Sequence, residues 1–138
     1  MGDANAIVAR EAVPDDGTLL FTADHDGDRV EGILLQLADG VVAFENYCQH
    51  WRDVRLDDGE GATMRNGEIV CEKHGAYFEV DSGYCNFGPC EGGTLAEIAV
   101  TVENGTVVLT DDRYSAPRLG PAERAGGDSG SRIGFTGN

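Results

Sequence analysis

The chain has 138 residues, 41% hydrophobic and 7% aromatic, enough to bury the core of one domain without a disulfide scaffold and too apolar for wholesale disorder. Its 25 acidic residues against 10 basic ones give a formal charge of −15, a field that makes nucleic acid and anionic membranes poor partners. No apolar run approaches the roughly 18 residues that span a bilayer, and Met1–Ala6 has neither a basic start nor an apolar stretch. A cytoplasmic protein with reduced or metal-bound thiols is expected.

In chain order, short apolar runs alternate with turn signals. Strands are predicted at Ile7–Ala9, Leu19–Ala23, Val30–Leu37, Val41–Phe44, Glu68–Val70, Tyr77–Val80, Leu95–Val102 and Thr106–Thr110. Asp26-Gly27, Asp39-Gly40, Asn66-Gly67, Ser82-Gly83 and Asn104-Gly105 punctuate them with residues that accept the positive φ of tight hairpins. Nowhere does a long run with helical spacing and caps occur, so the domain is predicted to be all-β. His25 falls at a hairpin tip, Asp24-His25-Asp26-Gly27-Asp28; Arg29 and Leu35 stand where a calcium loop needs Gly and a carboxylate, which argues against that ion. Residues 1–114 form the expected domain. Residues 115–138, rich in Gly, Ser and Pro and without an apolar period, are expected to be a disordered tail.

The acidity has two readings. It steers the protein toward a basic partner, or it adapts the surface to a salt-rich cytoplasm. Lys73 is the only lysine beside nine arginines, a depletion spread over the whole chain, which favours the second. In molar salt the Debye length is only about 3 Å, and long-range steering is then negligible.

Chemistry is concentrated in two short arms, Cys48-Gln49-His50 and Cys71-Glu72-Lys73-His74, with 20 residues between His50 and Cys71. Each arm offers a thiolate and an imidazole, and each follows a predicted strand, so two strand-terminal loops can present four donors together. Structural zinc accepts two Cys and two His, but usually pairs like with like in each arm. A plant-type [2Fe–2S] cluster needs four Cys; Cys85 and Cys90 have its first gap and nothing follows. Neither Cys is counted as a ligand, and free thiols are expected at both.

The order C-x-H then C-x-x-H resembles the Rieske family, in which two Cys hold one iron and two His the other. His74-Gly75-Ala76-Tyr77-Phe78 is similar to the family's continuation, and Gly83–Pro89 looks like its third, Pro-containing loop, which covers the cluster. The resemblance spans roughly residues 41–110. It implies a Rieske-like antiparallel β-sandwich base with a cluster-binding lobe at about 44–91, and a longer hairpin near Asp57–Gly61. It also implies a [2Fe–2S] cofactor held by Cys48, His50, Cys71 and His74, with Cys48 and Cys71 on the inner iron. The implied function is one-electron transfer, ferredoxin-like, by a monomer without turnover of its own. Partners would be redox proteins, a reductase and a terminal oxygenase or other oxidoreductase. The small subunit of a nitrite-reductase-type complex and a zinc-stapled, non-redox binding module are the alternatives.

Respiratory Rieske proteins resemble a pattern with an extra disulfide pair and two hydroxyl donors. Laid on this chain, those positions are Asp53 and Lys73 for the disulfide, and Ala76 and Phe78 for the hydroxyls. Without the hydroxyls the reduced cluster loses hydrogen-bond donors, which implies the low end of a range of roughly −150 to +300 mV. A salt bridge between Asp53 and Lys73 is the expected substitute for the missing disulfide, worth about 1 kcal/mol.

Overall fold

The computed structural model describes residues 5–15, 17–38, 40–47, 55–57, 59, 61–65, 67–71, 75–88 and 93–120. Twelve strands are defined among them. They are β1 (Ala6–Ala9), β2 (Leu19–His25), β3 (Asp28–Leu37), β4 (Gly40–Glu45), β5 (Thr63–Arg65) and β6 (Glu68–Cys71). The chain continues through β7 (Ala76–Glu79), β8 (Cys85–Phe87), β9 (Glu97–Ile98), β10 (Val100–Glu103), β11 (Thr106–Leu109) and β12 (Ser115–Leu119). The helical content of the described residues is one 3-10 turn, Arg10–Ala12. No helix there is long and apolar enough to cross a membrane.

The strands make three antiparallel sheets in the orders β1-β11-β10, β12-β2-β3-β4-β9 and β5-β6-β7-β8. The five-stranded sheet lies between the other two because its strands are apolar on both faces. Phe21, Ala23, Leu34 and Ala43 pack with Ile7, Val107 and Leu109 of the three-stranded sheet. Their neighbours Leu20, Ile33, Leu35, Val42 and Phe44 pack with Ile69, Phe78 and Cys85 of the four-stranded sheet. Period-2 geometry sends adjacent residues to opposite faces, so Ile33-Leu34-Leu35 reads as an unbroken apolar run rather than an alternating one. The all-β sandwich with a smaller lobe is therefore observed, the lobe being built on β5–β8.

Two of the predicted turns are observed in full, whereas Asp39 and Asn66 lie outside the described residues and Gly40 is the first residue of β4. Asp26 and Gly27 have φ of 53° and 86°, and Asn104 and Gly105 have 52° and 78°, the paired positive angles of a two-residue turn that matches strand twist.

Two expectations are corrected. The run Leu95–Val102 is not one strand: Glu97–Ile98 pairs with β4, whereas Val100–Glu103 pairs with β11 in a different sheet. The crossing is at Ala99, whose N–H donates to Asp111 Oδ2 at 3.0 Å while its carbonyl accepts from the Thr110 and Asp111 amides. β-propensity is equal on either side of such a crossing, so composition does not mark it. The second concerns the tail, since Ser115–Leu119 forms β12 on the edge of β2. Polar bonds hold it rather than apolar burial: Gly120 N–H donates to Leu20 O, Thr22 Oγ1 donates to Gly120 O, and Arg118 pairs with Asp24 at 3.0 Å. A register shift between Ser115 and Arg118 accommodates Pro117, as edge strands allow. Residues 121–138 lie outside the described residues.

Candidate metal centre

Cys71 is the last residue of β6, 2% exposed, in an apolar cluster with Ile69, Ala76, Phe78 and Cys85. It pairs across the hairpin with Ala76, the first residue of β7. Gly75 N–H donates to Cys71 O at 2.7 Å, so the strand ends that bracket Glu72, Lys73 and His74 are closed by main-chain bonds. The second arm is thus the connection of a tight hairpin.

The first arm is bracketed in the same way. Tyr47 and Arg55 form an isolated antiparallel bridge, and Cys48 and His50 fall in the chain between them. The bridge stands on buried polar groups. Glu31, 1% exposed on β3, accepts from Arg55 Nε at 2.8 Å and Arg55 Nη2 at 2.6 Å. Asn46 is fully buried and spans to Asp57 by two bonds: its Nδ2 donates to Asp57 O at 2.6 Å, and its Oδ1 accepts from Asp57 N–H at 2.7 Å. Nδ2 also reaches Glu31 Oε1 at 3.3 Å. The Asp57 carboxylate accepts from Thr18 Oγ1 at 2.6 Å and from the Gly59 and Gly61 amides. Gly59 and Gly61, in the stretch where a longer hairpin was expected, are thus tied to that side chain. Burial pushes the Tyr47 phenol above its ordinary pKa, the Glu31 and Glu45 carboxylates add to the shift, and a hydrogen bond with the Glu31 backbone opposes it. Leu56, next to the bridge, belongs to the same apolar cluster as Cys71 and Ala76, which brings the bases of both arms into one packed unit.

A third segment closes on the second arm. Gly88 has φ +106°, and a Cβ there would stand 2.7 Å from Ala76 Cα and 2.9 Å from Gly75 O. Only glycine permits that approach. Phe87 just before it is 61% exposed and meets Tyr77 edge to face at 5.6 Å. Cys85 is buried opposite Phe78, its Sγ donating to Phe87 O at 3.3 Å.

Of the four sequence-predicted ligands, Cys71 is placed by the structure. Cys48, His50 and His74 lie outside the described residues, as do Asp53, Lys73 and Cys90. The surroundings of Cys71 fit a [2Fe–2S] group. It stands at a strand end against apolar packing, at the closed end of a hairpin whose Gly75 and Ala76 the Gly88 backbone approaches. Ala76 and Phe78 are both fully buried there, so the two positions that lack hydroxyls face the core and not water. Sequence reasoning missed Glu31, Asn46, Arg55 and Asp57. One signal was present: a glutamate inside Val30-Glu31-Gly32-Ile33-Leu34-Leu35 is a charge in a buried strand and requires a partner.

The Rieske [2Fe–2S] domain family profile matches residues 6–109. No curated protein matches the chain. Among solved structures it is similar to the ferredoxin of carbazole 1,9a-dioxygenase from Nocardioides aromaticivorans IC177, at 25% identity and TM-score 0.59, covering 75% of this chain and 93% of that one. A chain of the complex of reduced oxygenase and oxidized ferredoxin in carbazole 1,9a-dioxygenase is similar at 23% identity and TM-score 0.59, covering 76% and 99%. The terminal oxygenase of carbazole 1,9a-dioxygenase from Nocardioides aromaticivorans IC177 is 17% identical with TM-score 0.54, covering 86% of this chain and 30% of its own. At those identities the last two speak to the fold alone.

Proposed function

The chain belongs to the Rieske [2Fe–2S] domain family, and we propose that it serves there as a ferredoxin, taking single electrons from a reductase and passing them to a terminal oxygenase. The observation that carries this reading is the likeness to a ferredoxin of a dioxygenase system, at 25% identity over 93% of its length. The zinc-stapled reading gives way to the family.

The ligands are Cys48 and Cys71 on one iron and His50 and His74 on the other. Support comes from the two bracketed arms, each closed at its base by described residues. When bound, the cluster supplies a one-electron couple whose two imidazoles, in place of thiolates, lessen the negative charge that an added electron meets. Ala76 and Phe78 withhold hydroxyl donors beside Cys71, which favours the low end of the Rieske range. Phe87 leaves aromatic surface exposed near the second arm, suited to anchoring a partner.

EPR of the dithionite-reduced protein tests the assignment. Mixed Cys/His ligation is expected, altered by His50→Ala and by His74→Ala. A colourless, iron-free native protein, or a signal indifferent to both substitutions, would overturn it. A midpoint potential near the top of the family range would defeat the low-potential reading by itself.

A further inference from the structure

The two flanks of the connection bearing Cys48 and His50 meet on polar groups. Asn46 and Tyr47 precede it, and Arg55, Leu56 and Asp57 follow it. Asn46 ties the preceding flank to the following one by its two bonds to the Asp57 backbone, completing what a longer strand ladder would have supplied. Glu31 ties both flanks to the middle sheet. Its carboxylate grips Arg55 through two nitrogens and meets Asn46 Nδ2, its carbonyl accepts from Asn46 N–H at 2.9 Å, and its own N–H donates to Tyr47 Oη at 3.1 Å. Five contacts from one buried residue therefore converge on the two ends of one loop, and a peptide bond separates Tyr47 from Cys48.

We propose that Glu31 and Asn46 are positioning residues for the metal centre: a polar clasp, anchored in the sandwich, that fixes the base of the Cys48/His50 connection and through it the seat of the cluster. Outer partners that orient ligands govern retention and potential of a metal group even without touching it. The clasp rests on Cys48 and His50 being ligands. The clasp also carries charge. Glu31 is an anion, so neutralising it removes one negative charge from the base of the arm and makes reduction easier.

The test uses the full chain with its cluster, reading iron release to a ferrous chelator and the midpoint potential. Arg55→Lys keeps the charge but loses the fork, and is expected to release iron at least fivefold faster at an unshifted potential. Glu31→Gln is expected to release iron faster and to shift the potential upward. Arg113→Met, which breaks the Arg113–Asp111 pair outside the clasp, is the control, expected to lower Tm while leaving both readouts unchanged. The clasp is overturned if Arg55→Lys releases iron at the wild-type rate, or if Arg113→Met accelerates release equally. Should Glu31→Gln fail to fold, the comparison of Arg55→Lys with Arg113→Met decides alone. If His50→Ala leaves the spectrum unchanged the ligand reading fails, whereas a His50-dependent spectrum with unaltered Arg55→Lys kinetics sinks the clasp only.

Discussion

Two residues show how position gives a common side chain a particular task. Phe87 is 61% exposed beside the glycine that closes on the second arm, held edge-on by Tyr77. An anchoring aromatic at an interface is commonly worth at least about 1.4 kcal/mol, or tenfold. Phe87→Ser is accordingly expected to slow electron transfer to the purified oxygenase about tenfold and leave the midpoint potential unmoved, as stopped-flow and redox titration would report. Tyr114 is the counterexample, an aromatic buried on the far side of the sandwich with its hydroxyl donating to Glu45. Burial first, and then that bond to a carboxylate, raises its pKa above the ordinary value. A phenol protected in this way stabilises the fold below its unfolded pKa of about 10, and the contribution fades as pH rises beyond it. Tyr114→Phe should cost about 2 kcal/mol at pH 7 and flatten the alkaline side of a denaturation series. Asp111 acts at the opposite end. The Arg113 guanidinium holds its carboxyl below the usual range, so its contribution is present above about pH 4 and lost as pH falls.

At the scale of elements, strand termini rather than strand interiors carry the chemistry. β6 ends on Cys71, and β4 runs into Asn46 and Tyr47 just before Cys48. Rigid ladders thus deliver both arms with little freedom at their bases, although each arm is short. β12 shows what an element can gain without an apolar pattern. Its hydrogen bonds cover the open edge of β2, which otherwise would be available for pairing with another chain. We propose that the folded unit extends to Gly120, and that 121–138 adds nothing to its stability. Truncation after Gly120 should leave Tm unchanged. Truncation after Tyr114 should cost roughly 3 kcal/mol, about 1 for each edge bond lost, and promote association at micromolar concentration. Thermal melts and light scattering would distinguish the two.

For the molecule as a whole, the −15 charge is the dominant global property. Self-repulsion of that size destabilises a compact state at low ionic strength and is screened by salt. Adaptation to a salt-rich cytoplasm therefore predicts that Tm rises steadily from 0.1 to 3 M KCl. A protein most stable in dilute buffer would instead favour the view that the charge guides a basic partner. Docking in molar salt would depend on apolar contact, which makes the Phe87 result more informative when measured at both ends of that range.

The sequence alone determined the all-β class, most strand positions and the two mixed donor arms. These depend on local properties: period-2 burial, turn residues that accept positive φ, and side chains chemically able to bind metal. It did not reveal that Leu95–Val102 divides between two sheets, that Ser115–Leu119 joins an edge, or that Glu31 reaches across 24 residues to Arg55. Those features depend on which distant groups meet once the sheets stack, and a buried carboxylate declares its partner only when the chain has folded around both.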